Sequence, residues 1–148
     1  SIKGREWFEK AIEKEEPTSL LAVANIMERE DSIAGYGKRK LRKSQTIRHL
    51  VKAAEKNHPM AQYKLARYYE NGKYVKKSKK EAFRWYKEAA EQGHPQAMER
   101  VGYCYEKGRG VKKNEPKAAY WYGLAEQNGQ EFARKRMEWY NIFHFFEE

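Results

Sequence analysis

HPMAQYKLARYYENGKYVKKSKKEAFRWYKEAAEQG, residues 58–93, is followed at once by a second stretch, 94–129, built on the same plan. Fourteen of the 36 positions are identical, among them His58/His94, Pro59/Pro95, Tyr69/Tyr105, Gly72/Gly108, Trp85/Trp121, Tyr86/Tyr122 and Gly93/Gly129. A fixed period of this length marks a repeat array, in which one unit cannot bury its apolar face alone and stacked neighbours share a continuous core.

Each unit reads as two helices. In the first, the A-type segment 59–71, Ala61, Leu65, Ala66 and Tyr69 recur at helical spacing and form one apolar stripe. Pro59 and Pro95 sit near helix starts, where a missing N–H costs nothing. Gly72 and Gly108 stand where the helix must end in a left-handed residue. In the B-type segment 79–92, Ala82, Trp85, Tyr86, Ala89 and Ala90 form the side to be buried, and Gly93 closes it. A bulky Trp beside small Ala and Gly lets neighbouring helices approach closely.

Working outward, HLVKAAEKN from His49 is a variant of WYKEAAEQG, and Trp7-Phe8-Glu9-Lys10-Ala11 is another. B-type segments therefore start near 3, 44, 79 and 115, and A-type segments near 17, 59, 95 and 130. The expectation is a single all-α domain over 1–148, a solenoid of about four helix-turn-helix repeats. Its units as B-A helix pairs are roughly 3–29, 44–71, 79–107 and 115–146. The first spacing is longer than the others, and the extra residues are expected in a basic loop insertion at 30–43.

These helix pairs resemble the SEL-one-like repeat family, relatives of the tetratricopeptide repeat. The resemblance rests on Ala97, Val101, Gly102, Tyr105, Gly108, Gly110, Val111, Lys117, Ala118, Trp121, Tyr122, Ala125 and Gly129, and on the matching residues of 58–93. Tyr74 stands where the family pattern has its second loop glycine, so an altered loop is expected there. The resemblance implies a right-handed α/α superhelix that works as an adaptor or binding module, most often in bacteria, with A helices lining a concave groove. It also implies one specific form, an immunity-type protein that neutralises a bacterial effector by capping it.

Composition limits the alternatives. No apolar run is long enough to cross a bilayer. Charged residues are 35% and the mean hydropathy is -1.10, yet four Trp, eleven Tyr and six Phe recur periodically, which argues for a thin aromatic core rather than disorder. The single Cys104 leaves no intramolecular disulfide and no cysteine-rich zinc site. It fits a cytoplasmic protein, and a periplasmic one if a leader was removed; the compartment stays open.

Catalytic chemistry is not visible. Asp31 is the only aspartate, and no nucleophile elbow, zinc-binding helix motif or phosphate-cradling glycine loop occurs. His58 and His94 share one repeat position next to Pro and read as helix-start residues. The Trp-Tyr pairs read as core. No cofactor or metal is expected.

Two surfaces remain. The stretches 38–43, 73–80 and 107–113, read as loops joining A to B helices, carry fourteen basic residues and no acid, so the rest of a chain of net charge +10 is net acidic. Loops of one kind line one edge of a solenoid, which makes Lys38, Arg39, Lys40, Arg42, Lys43, Lys76, Lys77, Lys112 and Lys113 a basic edge. Such lysines serve solubility, or they attract an acidic protein, a phosphate backbone or an anionic membrane. The second surface is the A-helix side opposite the core stripe, where Lys64, Arg100 and Arg136 share one register position and Arg67, Tyr103 and Trp139 another. Arg, Tyr and Trp dominate binding hot spots. The expected function is protein binding through the groove, the basic edge or both, with an acidic partner surface; the alternative is a basic accessory protein that binds nucleic acid.

Overall fold

The computed structural model describes residues 10, 13–31 and 36–130, with the side chains of 30–44 outside the description. Six helices follow one another: α1 (Pro17–Asp31), α2 (Tyr36–Glu55), α3 (Pro59–Asn71), α4 (Lys79–Glu91), α5 (Pro95–Lys107) and α6 (Glu115–Gln127). Each packs on its chain neighbours, and the tightest packing is within the hairpins α1–α2, α3–α4 and α5–α6. The fold is an all-α solenoid of about three described helix pairs, and the packing unit runs from an A helix to its following B helix.

The caps show why the helices begin and end where they do. His58 and His94 are N-caps: each accepts a hydrogen bond on Nδ1 from the backbone N–H of Ala61 or Ala97, with Pro following at the first helical position. Ser78 and Asn114 cap α4 and α6 in the same way, accepting from Glu81 and Lys117. The backbone N–H of Ser78 and of Asn114 also donates to Tyr69 and Tyr105, which folds each A-to-B loop back on its own A helix. Gly72 and Gly108 end α3 and α5 in the left-handed region. Tyr74 takes φ 62 where Gly110 takes φ 73, so the loop backbone keeps one shape despite the tyrosine.

The core is a continuous seam. Leu20, Val23, Leu50, Ala61, Leu65, Tyr86, Ala89, Ala97, Val101, Tyr122 and Ala125 are buried along its length. Trp85 and Tyr86 are core residues, as their spacing requires. A Cβ on Gly102 would lie 2.8 Å from the Tyr122 ring, so the absent side chain is what admits the tyrosine. In α3 the expected stripe is buried at Ala61, Leu65 and Ala66, but at its end Tyr68 is buried and Tyr69 only partly so. Tyr63 packs its ring against Tyr86 and His94, with centroids 5.6 and 4.8 Å away.

One expectation is corrected. Residues 38–43 are not a loop: they lie in α2, which starts at Tyr36 rather than near 44. After Gly37 the segment KRKLRKSQTIRHLVKAAE contains no glycine or proline, and Lys, Arg and Leu are good helix formers. The longer first spacing suggested a loop; the missing breaker decides for helix.

Candidate partner-binding surface

Two acidic residues organise the side of the A helices. Glu28 in α1 and Glu70 in α3 occupy the same register position, eleven residues after Pro17 and Pro59. Glu28 receives Lys64 from α3 at 2.6 Å and Lys73 from the following loop at 2.6 Å. Glu70 is ion-paired with Arg100 of α5 and accepts a hydrogen bond from the Tyr86 hydroxyl at 2.6 Å. The Tyr122 hydroxyl donates to Glu106 in the same way one repeat later. Each such carboxylate ties its A helix to the partner B helix, to the next A helix, or to both.

The energetics follow from partial burial. Burial alone would raise the pKa of the Glu28 carboxyl, but hydrogen bonds from Lys64 and Lys73 outweigh it and hold the group at about 2. Glu70 is also held below the usual carboxylate range, by Tyr86 and Arg100 acting against its burial. Burial and the neighbouring carboxylate push the Tyr86 phenol well above its ordinary value. Burial pushes the Cys104 thiol up to about 11, which keeps it protonated and unreactive.

This geometry separates the residues that shared a register. Lys64 and Arg100 are engaged inside the protein, between successive repeats; Lys64 also donates to Asn25. Tyr103 is half-buried, with Arg100 and Arg109 over its ring at 5.3 and 5.7 Å. Arg67 is exposed. Arg136 and Trp139 lie outside the described residues. Sequence reasoning did not find Glu28 and Glu70 as the partners of the basic ladder, although both stand at one repeat position, with Glu106 as the third.

The basic edge is exposed where it is described. Lys76, Lys77, Lys112 and Lys113 all face solvent, and Glu115 lies 3.6 Å from Lys113. Lys38, Arg39, Lys40, Arg42 and Lys43 follow one another on helix α2, their side chains outside the description. Lys79 and Lys80 open α4 with Glu81 beside them in its first turn, and the first turn of α2 holds Lys38 and no acid. Positive charge at a helix N-terminus opposes the macrodipole at about 0.3–1 kcal/mol per residue. Among the described residues no cluster of His, Cys, Asp and Glu is arranged to hold a metal ion, and no helix is long and apolar enough to cross a membrane.

Comparison with known proteins places this architecture. The family model for the Sel1 repeat matches residues 1–15, 59–94 and 95–130, more than half of the chain. A Sel1 repeat protein from Oxalobacter formigenes has a solved structure that aligns with TM-score 0.78 and 30% identity, over 88% of this chain and 94% of that one. A protective antigen of uropathogenic Escherichia coli with an SLR fold aligns with TM-score 0.79 and 27% identity, over 89% of this chain and 27% of that one. The cysteine rich protein B of Helicobacter pylori aligns with TM-score 0.65 and 29% identity, over 90% of this chain and 91% of that one. No curated protein sequence matches.

Proposed function

Since the chain belongs to the Sel1 repeat family, whose repeats are non-catalytic protein–protein interaction scaffolds, we propose that it binds an acidic protein through the edge formed by its A-to-B loops. The observation that carries this reading is the pair of exposed lysine doublets, Lys76-Lys77 and Lys112-Lys113, one repeat apart in loops of matching backbone shape. The start of α2, which holds Lys38 and no acid in its first turn, supports it, because positive charge there works against helix stability. Arg67 and Tyr103 extend the surface toward the A helices; Lys64 and Arg100 serve it by holding the repeats in register. Capping of a bacterial effector, as an immunity-type protein does, is one form such binding takes.

The test is capture by the immobilised chain from source cells, with quantitative mass spectrometry, against the variant Lys76→Glu, Lys77→Glu, Lys112→Glu, Lys113→Glu. All four sites are exposed, so the variant folds. An acidic protein held by the native chain and released by the variant is the expected result; undiminished capture overturns it. A salt titration with an arbitrary oligonucleotide tests the alternative, because phosphate contacts give a steep fall in affinity with salt.

A further inference from the structure

The outward face of α4 carries charge in an order that helix stability does not explain. Arg84, Lys87, Glu88 and Glu91 stand at i, i+3, i+4 and i+7, so they form one stripe about 10 Å long. Arg84, Glu88 and Glu91 are exposed, and Lys87 is half-buried. All four line one open groove, with Phe83 and Gly110, whose cavity is about 480 Å³.

The stripe differs from an ordinary solvated helix face. Glu88 and Glu91 sit in the last turn of α4, which holds no base, so they oppose the macrodipole. Each base precedes the acid four residues on, Arg84 before Glu88 and Lys87 before Glu91, which is the weaker order for pairing within a helix. Among the described residues, Lys87, Glu88 and Glu91 form no ion pair. Arg84 lies 3.5 Å from Glu81, with its guanidinium over the Trp85 ring at 4.9 Å. Nor does the repeat demand the pattern. The same four positions in α6 are Tyr120, Gly123, Leu124 and Gln127, none of them charged, and the middle two in α2 are Val51 and Lys52.

What the order does provide is self-complementarity. About the midpoint between Lys87 and Glu88, each base has an acid at the mirrored position: Glu88 for Lys87, and Glu91 for Arg84. A two-fold axis crossing α4 at that point lays a second α4 antiparallel on the first. Each Arg84 then faces Glu91 of the second copy and each Lys87 faces its Glu88, which makes four ion pairs from one patch. Packed helix axes lie about 8–10 Å apart, within reach of these side chains. A parallel pairing would set base on base and acid on acid, and a partner of one charge sign would meet like charge along half of the stripe. We propose that the protein self-associates as an antiparallel two-fold dimer through α4. Lys80 and Glu81, which also line the groove, fall beyond the end of the second copy's α4 and stay in solvent. The lysine doublets do not line the groove, so the dimer presents two basic edges and stands independently of what they bind.

Sedimentation equilibrium of the full chain at low salt reads the mass directly. The native chain is expected to approach twice its 17.6 kDa as its concentration rises to about 100 μM. Arg84→Glu with Lys87→Glu makes the stripe all acidic, and Glu88→Lys with Glu91→Lys makes it all basic. Each double variant alone is expected to raise the dimer dissociation constant at least about tenfold, because every facing pair becomes repulsive. The acidic variant also lowers the net charge from +10, so its loss of the dimer is not a matter of overall repulsion. An equimolar mixture of the two variants is expected to restore the dimer, since every facing pair is then opposite in sign. Glu88 and Glu91 are exposed, so the basic variant reports even if the acidic one, which loses the Arg84 contact with Trp85, fails to fold by circular dichroism. A native chain that stays monomeric at that concentration overturns the proposal. A basic variant that dimerises as well as the native chain overturns it too, because the contact then lies on another face. Two folded variants that are monomeric alone and remain so when mixed overturn the antiparallel pairing.

Discussion

Arg100→Glu is the substitution that distinguishes a groove residue awaiting a partner from one that holds the solenoid together. In the native chain Arg100 is 35% exposed, its ion-pair partner Glu70 17% exposed, and its guanidinium lies over the rings of Tyr86 and Tyr103 at 5.7 and 5.3 Å. Removing the guanidinium leaves a largely buried carboxylate without its charged donor, which costs about 1–3 kcal/mol. A second carboxylate about 5 Å away adds about 3 kcal/mol at an effective dielectric of about 20, and about half of that once solvent screening at a partly exposed site is counted. The total is about 3 kcal/mol, a drop of about 6–12 °C in Tm for a chain of this size. Arg67→Glu, on the exposed neighbour, stays within about 0.5 kcal/mol of native. Thermal melts by far-UV circular dichroism, with urea titrations at 25 °C, read both variants. A Tm for Arg100→Glu within a degree of the native value would refute the inter-repeat role. A double-mutant cycle with Glu70→Gln and Arg100→Met is expected to give a coupling of about 1–2 kcal/mol.

Other perturbations follow from single contacts. Gly110→Ala sets a methyl against the Lys79 carbonyl at φ 73 and is expected to cost about 2–3 kcal/mol, against about 1 kcal/mol for Gly93→Ala, which meets nothing within 4 Å; urea unfolding measures both. His94 caps α5 through an unprotonated Nδ1, and burial lowers its pKa below the ordinary 6.5, so its contribution is present above about pH 6.5 and is lost as pH falls toward the folded value. His94→Asn keeps a cap and is expected to flatten the stability profile between about pH 7 and 5. Glu28, held at about 2, stabilises the first junction above its unfolded pKa by about 2 kcal/mol and loses this as pH falls from about 5 to 2. In Glu28→Gln that acid limb is expected to shrink in pH-dependent melts.

The sequence by itself determined the architecture of 58–129. A 36-residue period, glycines at fixed places and a Trp-Tyr pair among alanines admit only stacked helix pairs, because those constraints are local and recur. It located the His-Pro helix starts, now visible as caps, and the loop glycines, now visible as left-handed ends. It also located the exposed lysine doublets, since a loop bounded by two helices has nowhere to bury them. It misread 38–43, where the longer first repeat spacing was assigned to a loop although the stretch has no helix breaker.

What only the tertiary structure decided is which charges are spoken for. Lys64, Arg67 and Arg100 look alike as a face of basic residues, but Lys64 and Arg100 have partners 30 or more residues away and Arg67 is exposed. Glu28 meets Lys64 and Glu70 meets Arg100 only because stacking sets each A helix beside the next. The same applies to Arg109, whose charge helps hold the Glu70 carboxyl below its ordinary range only because Gly110 lets its loop rest against α4. Backbone propensity and periodicity act along the chain, so they can be read from it. Ion pairing acts across space between repeats, and its outcome depends on distances that no one-dimensional register contains.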